Sequence, residues 1–390
     1  MREKVLILDA QQVQTLAIAK QLKKNGYYVI LFCDNKFSYG YRTRYADEKI
    51  LCPSITEKAD EFSLFVQHYL QQHHIDVLIP MTDYSATYLS ENKKLLSQYT
   101  RFIIPDKDVF YRGYDKKQLM YFCLEHHFPC PATIEANLEN IEIASESIGF
   151  PLLIKPDITT GGRGITLIAS MDELKKMLPL ITEEHGSCHL QEFIPAGGRQ
   201  LKVQLFIDIN KNVKYSTVIH KIRFYPENGG SSCCNVTIEE NSLVQMCGNV
   251  LKQIGWIGFA DFDLIEDPRN GIIKIMEINP RVPACIKSSI ISGIDFATII
   301  VDATLNKPLK TYTYQAGKYL RYFGLDILWF LYSPKRFKTK PNWFAFWGRD
   351  IFYQEGSLDD WRPFLFGTVG GFLKQLNPQF RKAKAGMRNL

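Results

Sequence analysis

Short apolar runs and helical periodicity alternate along residues 1–105. The apolar runs are too short for helices and predict buried strands, whereas apolar positions spaced three and four residues apart predict helices. The predicted elements are strands at Val5–Leu8, Tyr27–Cys33, Val77–Pro80 and Phe102–Ile104, and helices at Val13–Lys24 and Glu61–Gln72. Strands that alternate with helices indicate a parallel, Rossmann-like α/β sheet.

The loops after the first and third predicted strands carry the polar residues of this unit. Asp9–Gln12 follows the first strand in place of the glycine-rich dinucleotide fingerprint, which argues against a nicotinamide site. Met81–Tyr84 follows a strand at its carboxyl end, where ligands bind in open α/β sheets. This loop either touches a substrate or begins a helix, with Thr82 or Asp83 as its N-cap.

The strongest polar pattern lies in Phe259–Arg281, where two apolar runs flank a turn with the pair Asn270-Gly271, so a β-hairpin is predicted. Strand alternation gives each run one polar face, formed by Asp261 and Asp263 in the first and by Glu277, Asn279 and Arg281 in the second. Buried carboxylates need a cation, and hard oxygen ligands suit Mg²⁺. The alternative is an ordinary hairpin with a surface salt bridge.

A glycine-rich loop follows a strand that ends on a lysine. The predicted strand Gly149–Pro156 contains Lys155, and the loop Thr159–Gly164 separates it from a second strand at Ile165–Ile168. Glycines allow backbone N–H groups to approach an anion, and a lysine adds positive charge, so the pattern favours phosphate binding. It lacks the Walker motif. A plain hairpin with a flexible tip is the alternative.

The middle of the chain predicts further strands and helices. They are strands at Gln200–Ile207 and Val213–Ile222, a loop at Tyr225–Ser232, and helices at Asn241–Gly255 and Ile290–Leu305. Gln200, Lys202 and Gln204 share one side of the first strand. Lys221 and Arg223 lie where the second strand passes into the loop.

Composition indicates a globular protein of two or three domains, with 46% hydrophobic and 23% charged residues. The net charge of +6 does not by itself imply nucleic acid. The nine cysteines lack a CxxC pair, which argues against a disulfide framework. Because Met1–Lys4 leads straight into a strand and the sequence has no apolar run of about 20 residues, we expect a cytoplasmic protein.

The segment Tyr312–Leu390 differs from the rest, because tryptophan, phenylalanine and tyrosine alternate with lysine and arginine. Its last stretch, Lys374–Leu390, has five basic residues and no acidic one. Such a composition favours either a membrane surface or an acidic partner. The alternative is a small capping subdomain with a solvated basic tail.

Four motifs taken in order resemble the ATP-grasp superfamily across roughly residues 110–305. They are Lys116, the Lys155 strand with its glycine-rich loop, Gln191–Ile194 and Glu277–Arg281. The N-terminal unit resembles the domain that precedes the ATP-grasp fold in biotin carboxylase and carbamoyl-phosphate synthetase.

The resemblance implies an α/β and α+β architecture: a Rossmann-like pre-ATP-grasp domain at residues 1–108, a two-lobed ATP-grasp domain at 109–311, and a small aromatic and basic C-terminal extension at 312–390. The nucleotide-clamping lobes would cover about 109–192 and 193–311.

The resemblance also implies site roles. Lys116 and Lys155 would contact the phosphates, and Gly161, Gly162 and Gly164 would belong to the flap over them. Glu192, Phe193 and Ile194 would bind the adenine and Gln200 the ribose, and Lys202 would be a further nucleotide-binding residue. Metal ligands would be Asp263, Glu277 and Asn279, with Asp261 as an alternative to Asp263. Catalytic cations would be Arg281, Lys221 and Arg223. Gln200 departs from the family's usual acidic or polar group.

The function implied is that of an ATP-dependent carboxylate–amine ligase. ATP and Mg²⁺, or Mn²⁺, would serve to convert a carboxylate into an acyl phosphate with release of ADP, and an amine would then displace phosphate. The partners would be small-molecule substrates, with an amino acid favoured by a looser similarity to D-aspartate ligase-like proteins. Lys221 and Arg223 either stabilise the oxyanion or pair with Asp261 or Glu277. The contrasting hypothesis is an ATP-binding module without ligase turnover, attached to a membrane or envelope-biosynthesis assembly.

Overall fold

The computed structural model describes residues 2–158, 164–226, 231–357 and 359–367. Gly161 and Gly162, half of the predicted loop at Tyr225–Ser232, and the basic stretch Lys374–Leu390 lie outside these ranges. Three β-sheets organise the described chain.

The first sheet is four-stranded and parallel, with the order β3-β2-β1-β4. Its region contains β1 (Lys4–Leu8), α1 (Gln14–Lys24), β2 (Tyr28–Cys33), α2 (Tyr39–Arg42), β3 (Glu48–Leu51), α3 (Ala59–Gln72), β4 (Val77–Pro80), α4 (Asp83–Glu91) and α5 (Lys93–Leu96). The strand predicted at Phe102–Ile104 does not form, because only Arg101 bridges to the sheet, at Val77. Thr82 N-caps α4 in a capping box with Ser85, as one of the two alternatives predicted.

The second sheet is four-stranded and antiparallel, with the order β5-β8-β6-β7. The helices α6 (Lys107–Tyr114) and α7 (Lys116–Glu125) lead into β5 (Thr133–Glu135), α8 (Ile141–Ile148), β6 (Leu152–Pro156), β7 (Thr166–Ile168), α9 (Met171–His185) and β8 (Cys188–Glu192). A separate apolar core lies beneath it, around Ile154, Leu178 and Leu190. This lobe therefore has its own packed interior.

The third sheet has seven strands in the order β13-β12-β9-β10-β11-β14-β15. Its elements are β9 (Gln200–Ile207), β10 (Val213–Tyr225), β11 (Ser231–Ile238), α10 (Asn241–Ile254), β12 (Gly258–Glu266), β13 (Ile273–Asn279), a 3-10 turn (Ala284–Ile286), α11 (Lys287–Ile291), α12 (Phe296–Thr304), β14 (Tyr319–Arg321), α13 (Phe323–Tyr332) and β15 (Ile351–Tyr353). Its core is continuous with that of the first sheet, because Leu6 and Phe32 belong to the same buried cluster as Val203 and Phe262.

The single helix predicted at Ile290–Leu305 is instead two helices. Gly293 separates them with φ +97, and a Cβ atom there would lie 2.2 Å from the carbonyl oxygen of Thr313. Asp295 then caps α12, since its side chain accepts a hydrogen bond from the backbone N–H of Thr298. Across the described residues no single helix is long and apolar enough to span a membrane; only α12 together with Ala284–Ile291, bent by 95°, reaches that length and composition as a pair.

Residues beyond the predicted boundary at 311 extend the third sheet. The strand β14 pairs antiparallel with β11, and β15 pairs parallel with β14. Asp326 of α13 joins this extension to the sheet, because its carboxylate accepts hydrogen bonds from Arg223 Nε at 2.8 Å and Arg321 Nε at 2.7 Å. All three side chains are buried. The aromatic region is thus built into the lobe as far as residue 353.

Candidate active site

The predicted hairpin is formed by β12 and β13, and the structure gives the register that the sequence left open. Asp261 lies opposite Asn279, and Asp263 lies opposite Glu277. The connection turns at Gly271, whose φ of +74 is readily adopted by glycine. The two carboxylates of β12 and the polar groups of β13 therefore meet on adjacent strands, as the sequence predicts.

Two lysines from the neighbouring strands balance the carboxylates of β12. Lys202 of β9 donates to Asp261 at 2.5 Å and to Asp263 at 2.8 Å, and Lys221 of β10 also donates to Asp263. Asn279 Nδ2 completes the cluster at 3.1 Å from Asp263 Oδ2. Lys221 is therefore in an ion pair, as the alternative predicted, but its partner is Asp263 and not Asp261 or Glu277.

Burial and the lysines set the ionisation of the two aspartates in opposite directions. Burial raises the pKa of Asp261, and Lys202 offsets only part of this effect. Burial acts on Asp263 too, but Lys202 and Lys221 together hold its pKa well below the ordinary value. Asp263 is therefore the firmly ionised carboxylate of the pair.

The oxygen atoms of the hairpin fit a hard divalent cation. Among the residues that the structure describes, Asp261 Oδ1 is buried without a hydrogen-bond partner, so this atom could accept a cation. Asp263, Glu277 and Asn279 supply two carboxylates and an amide oxygen, a donor set that Mg²⁺ uses together with water and phosphate oxygens. No preformed group of three or more histidine, cysteine, aspartate or glutamate ligands occurs within the described ranges.

Two buried lysines approach the hairpin from the second sheet and its leading helix. Lys116, the first residue of α7, places Nζ 3.5 Å from Glu277 Oε2. Lys155 of β6 donates to Gln191 Oε1 at 2.6 Å. Burial lowers the pKa of Lys155 to about 8, and the charge of Lys116 acts in the same direction, whereas Glu277 opposes it. Positive charge therefore faces the oxygen-rich hairpin.

Residues that the sequence did not single out hold these lysines in place. The carbonyl oxygen of Asp157 accepts a hydrogen bond from the backbone N–H of Lys116 at 3.0 Å. The Asp157 side chain pairs with Lys117 at 3.1 Å and with His189 Nδ1 at 2.8 Å. His189 is fully buried, and burial lowers its pKa. No sequence pattern predicted this network, because it joins residues that are far apart in the sequence.

Glu192 ends β8 at the passage from the second sheet to the third. Its carboxylate accepts hydrogen bonds from Arg269 and from Lys274 Nζ, the latter at 2.8 Å. Burial would raise the pKa of Glu192, but these cations and a backbone N–H hold it below the ordinary value. Phe193 and Ile194 follow directly, so the predicted adenine-binding backbone lies between the two sheets.

Three other residues were predicted to bind the nucleotide, and the structure gives each of them different neighbours. Gln200 begins β9, whereas Lys202 pairs with Asp261 and Asp263 of the hairpin. Gly164 has φ +72, and a Cβ atom there would lie 2.5 Å from the His185 ring, so only glycine fits the end of the loop. Gly161 and Gly162 lie outside the described residues.

Arg281 and Arg223 lie in different parts of the fold. Arg281 donates to Asn279 Oδ1 at 3.1 Å and pairs with Asp83 of α4, with Nε 3.2 Å from Oδ1. It therefore joins the hairpin to the loop that follows β4. Arg223 is buried against Asp326 and lies over the Trp329 ring, so its predicted role near the oxyanion is not retained.

Comparisons with known proteins identify the family of this chain. The family described as "Carbamoyl-phosphate synthase L chain, ATP binding domain" matches residues 115–312. The chain is 26% identical to D-aspartate ligase of Enterococcus faecium over 300 residues, which is 70% of each protein. It is 20% identical to the arginine-specific carbamoyl phosphate synthase large chain of Geobacillus stearothermophilus, but spans only 30% of that relative.

The fold also matches a solved structure of a biotin carboxylase domain. The domain belongs to 2-oxoglutarate carboxylase of Hydrogenobacter thermophilus and was solved with MgADP and bicarbonate. The match has a TM-score of 0.69 at 15% identity, and covers 82% of this chain and 74% of the other. With the family match over residues 115–312, we conclude that this chain belongs to the ATP-grasp ligases that share the carbamoyl-phosphate synthase ATP-binding domain.

Proposed function

We propose that the protein joins a carboxylate to an amine through an acyl phosphate, with release of ADP and phosphate, and that one substrate is an amino acid. The observation that carries this proposal is the approach of Lys116 Nζ to within 3.5 Å of Glu277 Oε2. It sets the cations of one lobe against the carboxylates of the other, which is the charge arrangement that phosphoryl transfer from ATP requires. The similarity to D-aspartate ligase supports an amino acid substrate.

The proposed metal ligands are Asp263, Glu277 and Asn279. Bound Mg²⁺, or Mn²⁺ in its place, would neutralise phosphate charge during transfer. In the structure, Lys202 and Lys221 form ion pairs with the carboxylate of Asp263. They would keep this carboxylate ionised and in position before the nucleotide arrives.

Nucleotide binding is proposed for residues at the junction of the two lobes. Lys116 and Lys155 would bind phosphate oxygens beneath the loop that includes Gly161, Gly162 and Gly164. Glu192, with the backbone of Phe193 and Ile194, would bind the adenine, and Gln200 the ribose. The buried position of Lys155 supports its role, since a desolvated ammonium gains most from a phosphate partner.

The acyl-transfer step is assigned to Arg281 and Lys221. Arg281 would orient the carboxylate that receives the phosphoryl group, because its planar guanidinium can hold two oxygen atoms at once. When the amine attacks the acyl phosphate, negative charge develops on the former carbonyl oxygen, and Lys221 would stabilise it. Asp83 already pairs with Arg281, so the loop after β4 would border the substrate.

The proposed domain organisation keeps the boundaries expected from the sequence. The parallel sheet and its helices, residues 1–108, would be the Rossmann-like pre-ATP-grasp domain, and 109–311 the ATP-grasp domain. The remainder, 312–390, would be an extension that completes the third sheet. We also propose a cytoplasmic location, with peripheral membrane contact through this extension.

The direct test is nucleotide release from the purified protein with Mg²⁺, ATP and pools of amino acids and small carboxylates. We expect one amino acid pool to stimulate ADP and phosphate formation, and a condensed product to appear by mass spectrometry. Formation of AMP and pyrophosphate would contradict the acyl-phosphate route. ATP binding without stimulation by any pool would favour the non-catalytic nucleotide-binding module.

The pH dependence of ATP binding tests Lys155 separately. Because the pKa of Lys155 is lowered to about 8, raising the pH from 7 to 9 removes the charge that a phosphate would attract. We expect the affinity for ATP to fall by about tenfold over this range, as measured by isothermal titration calorimetry. Lys155→Met should bind ATP weakly at both values and lose most of this dependence. An equal dependence in both proteins would place the titrating group elsewhere.

A further inference from the structure

A large cavity lies between α1, α11 and the C-terminal extension. Its volume is about 1260 Å³, and its apolar lining includes Leu16, Ile290, Ile291, Phe323, Phe346 and Phe364. None of the described residues that line it belongs to the candidate active site. The volume exceeds the roughly 300–1,000 Å³ typical of sites for small polar substrates and drug-sized ligands. The cavity is therefore separate from the candidate active site and large enough for a ligand of its own.

Most charged side chains that line the cavity are already bonded to the protein. The exception among the described residues is Glu355, which accepts from the Gly324 N–H at 2.9 Å through Oε1 but whose Oε2 is buried without a hydrogen-bond partner. Lys20 donates to Asp359 at 2.9 Å, and Lys287 donates to the carbonyl oxygens of Tyr353 and Gly356. Asp360 accepts from the backbone N–H of Arg44 at 3.2 Å. Since these groups are engaged, the surface left to a ligand consists mainly of aliphatic and aromatic side chains. Such a surface favours hydrocarbon over a polar metabolite.

Two tryptophans connect the cavity with the protein exterior. Trp347 and Trp361 both line the cavity, yet their side chains are 88% and 57% exposed. Tryptophan has an apolar ring and a polar N–H group, and it is enriched where protein meets the headgroup region of a membrane. The exposed edge of the cavity thus has the chemistry of a membrane-facing surface.

The surface beside the cavity is positively charged. Residues 331–349, here called the basic aromatic segment, contain five lysines and arginines and no acidic residue. Lys335, Lys338 and Lys340 are exposed, as are the rings of Phe337 and Phe344. Clustered basic residues beside exposed aromatic rings bind anionic lipid surfaces.

We propose that this cavity binds the hydrocarbon chain of an anionic membrane amphiphile, while the basic aromatic segment contacts the lipid headgroups around it. The apolar lining accounts for the chain, and the five basic residues account for the anionic surface. The proposal does not depend on the ligase reaction. ATP binding can therefore serve as an independent check that each variant is folded.

Chain length is the first test of the cavity. Binding of octanoate, dodecanoate and hexadecanoate, each below its micelle-forming concentration, would be measured by isothermal titration calorimetry. Each added methylene should tighten binding by about fourfold until the cavity is full, so dodecanoate should bind at least about a hundredfold better than octanoate. Equal affinities along the series would overturn the proposal.

Cavity filling gives a matched pair of variants. Ile291→Trp adds bulk inside the cavity, whereas Leu64→Trp adds the same kind of group at an exposed position of α3. The first should weaken hexadecanoate binding by at least about tenfold and the second should leave it unchanged. Both should retain ATP binding. Equal fatty acid binding by the two variants would also overturn the proposal.

Vesicle sedimentation tests the membrane as the source of the ligand. The protein should bind phosphatidylcholine vesicles containing about 30% phosphatidylserine and bind pure phosphatidylcholine weakly. Replacing Lys335 and Lys338 together by Gln should lower binding to the anionic vesicles by about thirtyfold, at roughly fivefold for each charge. The same change at exposed Lys24 and Lys94 should have little effect. Equal binding to both vesicle types, or an equal loss in both double variants, would contradict membrane docking through this segment.

Discussion

Glu277→Gln is expected to lower substrate-dependent ADP release by about a hundredfold to a thousandfold without unfolding the protein. The carboxylate at this position is a proposed metal ligand and lies 3.5 Å from the Lys116 ammonium. Glutamine keeps the shape but removes the charge that would hold Mg²⁺ against the phosphates. A coupled assay for ADP would measure the effect, with thermal unfolding as a check on the fold.

Glu266→Gln is the matched control for this experiment. Glu266 ends the same strand, β12, but pairs with Arg199 and takes no part in the cluster at Asp263. The Glu266→Gln variant should retain ADP release within about twofold, because a partly exposed ion pair contributes little to stability. If Glu277→Gln also retained nearly full activity, the hairpin would not hold the catalytic metal.

Asp326→Ala is expected to produce the largest loss of stability, about 3–5 kcal/mol in the free energy of unfolding. Both oxygens of this buried carboxylate are engaged, by Arg223 and Arg321. Removing it leaves two buried guanidinium groups with no carboxylate between them, and the desolvation cost of each is no longer offset. Chemical denaturation followed by tryptophan fluorescence would measure the loss, because Trp329 and Trp343 lie beside these arginines.

Asp350→Ala provides the comparison within the same extension. Asp350 is 48% exposed and forms an ion pair with Lys318 at 2.5 Å. A pair in this setting contributes about 0–1 kcal/mol. A loss at Asp326 no larger than the loss at Asp350 would mean that the buried arginines find other partners.

The sequence predicted the hairpin because its determinants are local. Alternation fixes which side chains share a face, and the turn residues Asn270 and Gly271 predict the connection. The register itself was not predicted, so Asp261 stayed an alternative to Asp263, and the pairing shifts at an irregularity between Asp263 and Leu264. The convergence of Lys116 and Lys155 on this hairpin could not be expected from spacing, because it depends on how two lobes pack. That expectation came from the family resemblance.

Most of the sequence predictions that were wrong depend on contacts between residues far apart in the chain. Lys202 pairs with Asp261 and Asp263 because β9 lies beside β12, and strand order cannot be read from a single strand. Lys221 and Arg223 should share a face by alternation, yet a β-bulge between them lets Lys221 bond to Asp263 and Arg223 to Asp326. The helix break at Gly293 was missed because an isolated glycine in an apolar run is compatible with a continuous helix.

The order of strands in the third sheet has a consequence for the synthesis of this protein on the ribosome. The strand β11 pairs with β10 on one side and with β14 on the other, and β14 begins only at Tyr319. At about 5–20 residues per second, the edge of β11 stays unpaired for several seconds after its own residues have been made. An open edge can pair with other chains. Cotranslational completion of the catalytic lobe therefore waits for the aromatic extension.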